Sequence, residues 1–294
     1  MSEPVIGFIG TGVMGEPMCR NVRVRGGYRV IAHDLDRATL ERLATHGVEI
    51  AADAGAVVRN SDIVLVSLPS GRVLESLVHG KGGLLESIRR EQIFVDLGTS
   101  PVALTRKLAA EFGERGARYL DAPVARTRQA AEAGTLSVMI GGDAETLAAV
   151  RPVIACFAEE ITHCGAIGSG QVAKILNNMV LFETVAALSE AYAIAVKSGV
   201  DPKLLFETLA KGSADSFALR NHGMKAIIPQ TFPPRAFSVE YAKKDLAYAL
   251  ELAADAGVDA QGAQRVDRLF DEAISRGAGD QYHPVVSRIV SGSL

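Results

Sequence analysis

Cysteine is scarce in this chain: Cys19, Cys156 and Cys164 are the only three in 294 residues. An odd number at unrelated spacings makes no disulfide framework and points to a reducing compartment. The six histidines are scattered and form no ligand pattern, so no structural metal is expected. An excess of one charge is missing as well. With 31 basic and 34 acidic residues the formal net charge is -3, which argues against a general electrostatic grip on nucleic acid or an anionic membrane. The longest apolar region, residues 179–196, is broken by Glu183 and Glu190, which disfavours a transmembrane span. No basic segment precedes a long apolar one near Met1, so no signal peptide is expected. These absences leave a soluble cytoplasmic protein as the expectation.

What is present is ordinary globular material, 48% hydrophobic and 22% charged, and the length suits two domains. The first half alternates short Val- and Ile-rich runs with helical patterns. Residues 5–9, 29–33, 63–67, 93–96 and 118–120 read as strands, and 15–25, 38–46 and 101–115 as helices. This alternation predicts a doubly wound parallel α/β sheet of Rossmann type over residues 1–165. One further strand is expected at 137–140, then a helix to 155 with Asp143 as its N-cap. A small glycine-rich turn at 165–170 leads into a helical pattern over 171–197, apolar on nearly every face and so expected to be buried. Beyond it only helices are read: 202–211, 215–226, 241–256, 260–276 and 285–290. Residues 166–294 are therefore expected to form an all-α domain.

Gly10-Thr11-Gly12-Val13-Met14-Gly15 follows the first strand and opens a helix. Gly10 permits a tight turn, Gly12 lets backbone approach a pyrophosphate, and Gly15 allows close helix–strand packing. The helix start supplies free N–H groups and partial positive charge for phosphates. Asp34 ends the second strand, where a carboxylate accepts from a ribose 2′-hydroxyl. Strand, turn, helix and acid together point to dinucleotide binding. A 2′-phosphate at ~5 Å from that carboxylate would cost about 3 kcal/mol per unit charge, so NAD is favoured over NADP.

The opening Gly7-Phe8-Ile9-Gly10-Thr11-Gly12-Val13-Met14-Gly15-Glu16-Pro17-Met18, with Asn21 after it, resembles the β-hydroxyacid dehydrogenase family, which includes 3-hydroxyisobutyrate dehydrogenases and tartronate semialdehyde reductases. Further matches follow in order: Leu68-Pro69, Thr99, Asp121-Ala122-Pro123-Val124 with Gly134-Thr135-Leu136, Gly168-Ser169-Gly170 with Lys174, Asn177 and Asn178, and Lys244-Asp245. The resemblance covers nearly the whole chain. It implies hydride transfer between a nicotinamide cofactor and a small β-hydroxy acid or its semialdehyde. It also implies cofactor contacts at Leu68, Pro69, Val73, Thr99 and Lys244, and a homodimer or homotetramer formed through the helical domain.

Lys174 is the expected catalytic residue. It lies one turn into the central helix, where a buried ammonium is costly without partners or a task. Burial lowers a lysine pKa toward the range useful for proton transfer. Asn178, at i+4, shares its helix face, and Asn177 nearly does. Lysine and amide together can hold a hydroxyl or carbonyl oxygen. The resemblance assigns catalysis to Lys174 and substrate orientation to Asn178.

Two segments depart from the family pattern. Ala125-Arg126-Thr127 stands where relatives have Ser-Gly-Gly holding the substrate carboxylate. A guanidinium and a hydroxyl suit an oxyanion there, and this segment most resembles the sulfolactaldehyde reductase branch. Near the C-terminus Tyr282-His283-Pro284 replaces the usual Asp-x-Ser, with His283 expected to be structural. Two alternatives are an imine or larger-substrate reductase on the same scaffold, which would not need Lys174, and a non-catalytic dinucleotide-binding scaffold.

Overall fold

A computed structural model describes residues 3–234 and 236–294, which fall into two compact units, 1–174 and 175–294. The first unit is built on one sheet. Its strands are β1 (Ile6–Ile9), β2 (Val30–His33), β3 (Glu49–Ile50), β4 (Ile63–Val66), β5 (Ile93–Asp96), β6 (Arg118–Asp121), β7 (Val124–Ala125), β8 (Leu136–Gly141) and β9 (Ala158–Gly165). Their order is β3-β2-β1-β4-β5-β6-β8-β7, with β9 alongside β8. From β3 to β6 every pairing is parallel, and the chain winds both ways from β1, to β2 on one side and β4 on the other.

Side chains alternate across the sheet with the strand period of two. Ile6, Phe8, Ile63, Leu65, Ile93 and Val95 feed one core, and Ile9, Val64, Val66 and Phe94 the other. Burial on both faces is why these strands read as continuous apolar runs. The covering helices are α1 (Gly15–Gly26), α2 (Arg37–Ala44), α3 (Ala54–Arg59), α4 (Gly71–His79), α5 (Leu84–Ser87), α6 (Val102–Glu114), α7 (Arg128–Ala133) and α8 (Ala144–Ile154). Asp143 caps α8 by accepting from the Thr146 N–H at 2.8 Å, as the sequence predicts.

The structure adds elements that the sequence reading passes over, and makes the sheet mixed rather than wholly parallel. β8 runs antiparallel to β6 and β7, while β9 pairs parallel with β8. β9 is an edge strand with exposed Glu159 and Glu160, so its residues carry no clean apolar alternation. The two-residue strands β3 and β7 and the short helices α3, α5 and α7 are too brief to show a period. The glycine-rich segment is divided between structures: β9 runs to Gly165 and the next helix starts at Ser169.

That helix, α9 (Ser169–Lys197), is followed by α10 (Pro202–Leu209), a π-helix over Leu219–Ile227, α11 (Val239–Asp255), α12 (Gln261–Ser275), a 3-10 turn His283–Val285 and α13 (Val286–Ser291). The π-helix stands where an ordinary helix over 215–226 was expected. By length and composition α9 could cross a membrane. It is not buried all round, contrary to its apolar sequence. Leu176, Val180, Ile194 and Val196 are 39%, 58%, 65% and 52% exposed, and the first three share one helix face. On the opposite side Phe182, Val185 and Ser189 are buried. Glu190, nearer the exposed stripe, pairs with Arg265 of α12.

Candidate active site

Parallel register aligns His33 with Ile9, Ile9 with Val66, and Val66 with Asp96. The loops after these residues leave one edge of the sheet together, the carboxyl edge at which open α/β sheets bind ligands. The glycine turn 10–15, Asp34, Leu68, Pro69, Val73 and Thr99 all lie on those loops or in the first turn of the helices after them.

Two of the three glycines in the turn are demanded by the chain itself. Gly10 has φ +88°, and a Cβ there would come within 2.3 Å of the Ser67 carbonyl oxygen. A Cβ on Gly15 would come within 2.0 Å of the Gly10 carbonyl oxygen. At Gly12 a Cβ would meet nothing within 4 Å. The space over Gly12 is therefore open, Val13 is 52% exposed, and Met14 at the start of α1 makes no side-chain cap. This fits a dinucleotide pyrophosphate held by the first N–H groups of α1. Thr11 turns inward instead. Its N–H donates to Asp34 Oδ2 at 2.5 Å, and its hydroxyl lies 2.8 Å from that of buried Thr39. The second Asp34 oxygen accepts from the Asp36 N–H at 2.8 Å. Thr11 thus fixes the acid beside the glycine turn. Leu68 is half-buried, Val73 is 37% exposed, and Thr99 is buried.

A buried polar network ties the Thr99 loop to the start of α9. Asp96 Oδ1 accepts from the Gly98 N–H at 2.9 Å, and its Oδ2 accepts from the Ser100 hydroxyl at 3.0 Å. The Gln171 amide donates to the Gly98 carbonyl at 2.9 Å and accepts from the Ser100 N–H at 3.1 Å. Asp121 takes the N–H groups of Gly168 and Gln171 at 2.7 and 2.8 Å, a carboxylate at the positive end of a long helix. Burial pushes the Asp121 carboxyl up from its ordinary range, and these backbone donors oppose the shift. The sequence reading gave Gln171 no role. A glutamine near a helix start is commonplace, and its partners lie 71 and 73 residues away.

Further along α9, Lys174 is 9% exposed and Asn178 is 1% exposed, on the face that also buries Gln171. Asn178 Nδ2 donates to Asp245 Oδ2 at 2.7 Å, and the Asn177 amide donates to Asn178 Oδ1 at 3.2 Å. Asp245 is itself buried, and its Oδ1 pairs with the Lys244 ammonium at 2.8 Å. Lys244 also sits 4.1 Å above the Tyr241 ring. Asn178, Asp245 and Lys244 therefore form one connected chain, and Asp245 orients the amide. Asn177 is exposed and touches the set only through Asn178.

The 125–127 segment joins β7 to α7. Ala125 is buried in β7, and Thr127 caps α7 by accepting from the Ala130 N–H at 3.4 Å. Arg126 has φ +84°, the left-handed backbone shape that glycine adopts freely. Its guanidinium donates to the Thr135 carbonyl at 2.6 Å and to Glu159 at 3.0 Å, with the side chain one-third exposed.

Comparison with known proteins agrees with this fold. Residues 5–165 match the family model described as the NAD binding domain of 6-phosphogluconate dehydrogenase. Residues 168–290 match the one described as NAD-binding of NADP-dependent 3-hydroxyisobutyrate dehydrogenase. The chain is 32% identical to a 2-(hydroxymethyl)glutarate dehydrogenase of Eubacterium barkeri, over 97% of this chain and 94% of that one. It is 36% identical to a 3-hydroxyisobutyrate dehydrogenase of Pseudomonas aeruginosa, over 83% and 84%. The solved 3-hydroxyisobutyrate dehydrogenase of Mycobacterium tuberculosis with L-serine superposes with a TM-score of 0.89 at 31% identity, covering 98% of this chain and 99% of that one. With both halves matched in order, the chain belongs to the β-hydroxyacid dehydrogenase family of NAD(P)-dependent oxidoreductases.

Proposed function

We propose that this protein interconverts a small anionic β-hydroxy acid and its semialdehyde with NAD(H) as the preferred cofactor. The carrying observation is Lys174, a buried ammonium one turn before the oriented amide of Asn178 on a single helix face. A bound nicotinamide supplies the hydride chemistry. The chain's own residues do the rest. Lys174 gives a proton to the carbonyl oxygen on reduction and takes it from the hydroxyl on oxidation. Asn178, held by Asp245, donates to the same oxygen. Gly10, Gly12, Val13, Met14 and Gly15 hold the pyrophosphate, Thr11 braces Asp34 for the ribose, and Leu68, Pro69, Val73 and Thr99 border the rest of the cofactor. Lys244 serves the cofactor side as the family resemblance implies. The substrate's carboxylate or sulfonate falls to the 125–127 segment, through Arg126, Thr127 and backbone N–H groups. The exposed stripe on α9 supports a homodimer or homotetramer. The three unpaired thiols fit a reducing, cytoplasmic setting.

The test is turnover of C3 and C4 hydroxy acids, hydroxysulfonates and semialdehydes with both cofactors. The expected result is activity on a small anionic substrate, with kcat/KM higher for NAD(H) than for NADP(H). Asp34→Ala narrows that gap, because it removes the charge opposing a 2′-phosphate. Equal or better use of NADP(H) by the unaltered protein would contradict the cofactor assignment.

A further inference from the structure

We infer that Gln171 is a positioning residue that sets Lys174 against the Thr99 loop. The inference rests on the proposed role of Lys174. Gln171 is fully buried, and its side-chain amide pairs with the backbone on both sides of Thr99, to the Gly98 carbonyl at 2.9 Å and the Ser100 N–H at 3.1 Å. It thus grips Thr99 as a neighbouring strand would, with one donor and one acceptor. The same residue lies one helical turn before Lys174, on the same face of α9. Its own N–H is held at 2.8 Å by Asp121, which also takes the Gly168 N–H at 2.7 Å. The loop is braced from the other side by Asp96, through Gly98 and Ser100. Between Asp96 and Asp121, Gln171 directly links the loop bearing the candidate cofactor contact to the turn bearing the candidate proton donor. No other amide on this helix has that pair of partners among the described residues. Catalysis needs its groups placed to within a fraction of an ångström, and a misplacement near 1 Å costs on the order of 10²-fold in rate.

Two substitutions test this. Gln171→Leu keeps the bulk and removes both hydrogen bonds. It is expected to lower kcat about 10- to 100-fold, with KM changing much less, because the loss falls on the chemical step. Gln171→Glu carries a specific signature. An ionised carboxylate opposes the Gly98 carbonyl, but a protonated carboxyl again offers one donor and one acceptor. Burial raises the pKa of such a carboxyl. The ratio of variant to unaltered kcat is therefore expected to climb as pH falls from about 8 to about 5.5, a recovery Gln171→Leu does not show. A Gln171→Leu kcat within twofold of the unaltered enzyme, or a pH-independent Gln171→Glu ratio, overturns the inference. So does failure of both variants to fold at every pH, since Gln171 is then scaffold. The proposed function fails separately, if Lys174→Ala keeps its turnover.

Discussion

Arg126 holds a backbone shape that costs a non-glycine residue roughly 1–2 kcal/mol, at φ +84°. The strain persists in a loop whose guanidinium is spent on a partly exposed pair with Glu159. Exposed pairs of this kind contribute about 0–1 kcal/mol. If the guanidinium instead meets a substrate anion in a desolvated setting, truncating it leaves that anion unpaired at a cost of roughly 2–5 kcal/mol. We predict that Arg126→Ala raises KM for the charged substrate by ~30-fold or more and hardly affects an uncharged alcohol of similar size. Equal effects on both, read from steady-state kinetics, would leave anion recognition to the backbone N–H groups of the segment. The sequence already carries this departure, since arginine stands where the family resemblance implies glycine. It does not carry the pair with Glu159, which depends on β9. Lys174, Asn178 and Asp34 stand out in the sequence as candidates for a similar reason: each is a polar residue at a fixed offset within a local motif. Gln171 and the orienting role of Asp245 do not, because the partners that define them are remote in sequence.

Among the elements, the π-helix Leu219–Ile227 and the turn His283–Val285 build a buried ring cluster unforeseen in the sequence. His283 is fully buried and packs 5.2–5.3 Å from the rings of Phe182, His222, Phe237 and Tyr282, and neither ring nitrogen has a hydrogen-bond partner among the described residues. His222 Nδ1 meets the Tyr282 hydroxyl at 2.5 Å. Burial pushes the His222 pKa down to about 4, aided by Lys225, and drives that of His283 well below its ordinary value. Both are neutral in the fold and protonate near pH 6.5 when unfolded. Their contribution is complete above that pH and is lost as pH falls through 6.5 toward 4. In that window unfolding takes up as many as two protons, so stability drops by up to about 2.7 kcal/mol per pH unit. Denaturant unfolding of His283→Phe from pH 7 to pH 5.5, where most carboxylates stay ionised, is expected to show a shallower slope, the difference growing toward about one proton at the acid end. An unchanged slope would mean that His283 is not buried neutral. The long strands and helices were legible because each buries a periodic face. The segment of the π-helix reads in sequence only as an ordinary helix, and an edge strand with two glutamates lacks alternation and does not announce itself.

At the scale of the whole molecule, the apolar exposure on α9 asks for a covering surface. Leu176, Val180 and Ile194 lie along one face, with Val180 and Ile194 more than half exposed. The proposed assembly predicts a solution mass of at least a dimer by light scattering, and a shift toward monomer in Val180→Glu with Ile194→Glu. A monomeric unaltered chain would remove this reading. An α/β half followed by a helical half was legible from a change of texture along the chain, while the exposed stripe was hidden by the uniformly apolar composition of the helix. The proposed activity depends on a buried lysine on α9 that moves the proton accompanying hydride transfer. Its most direct test is Lys174→Ala, assayed for turnover on the best substrate and, in parallel, for NADH binding. General acid–base groups contribute ~10²–10⁴-fold in rate, so turnover is expected to fall by that much while NADH still binds at the glycine turn. A loss smaller than about tenfold, with binding intact, would contradict the assignment and return Lys174 to an ordinary buried lysine near a helix start.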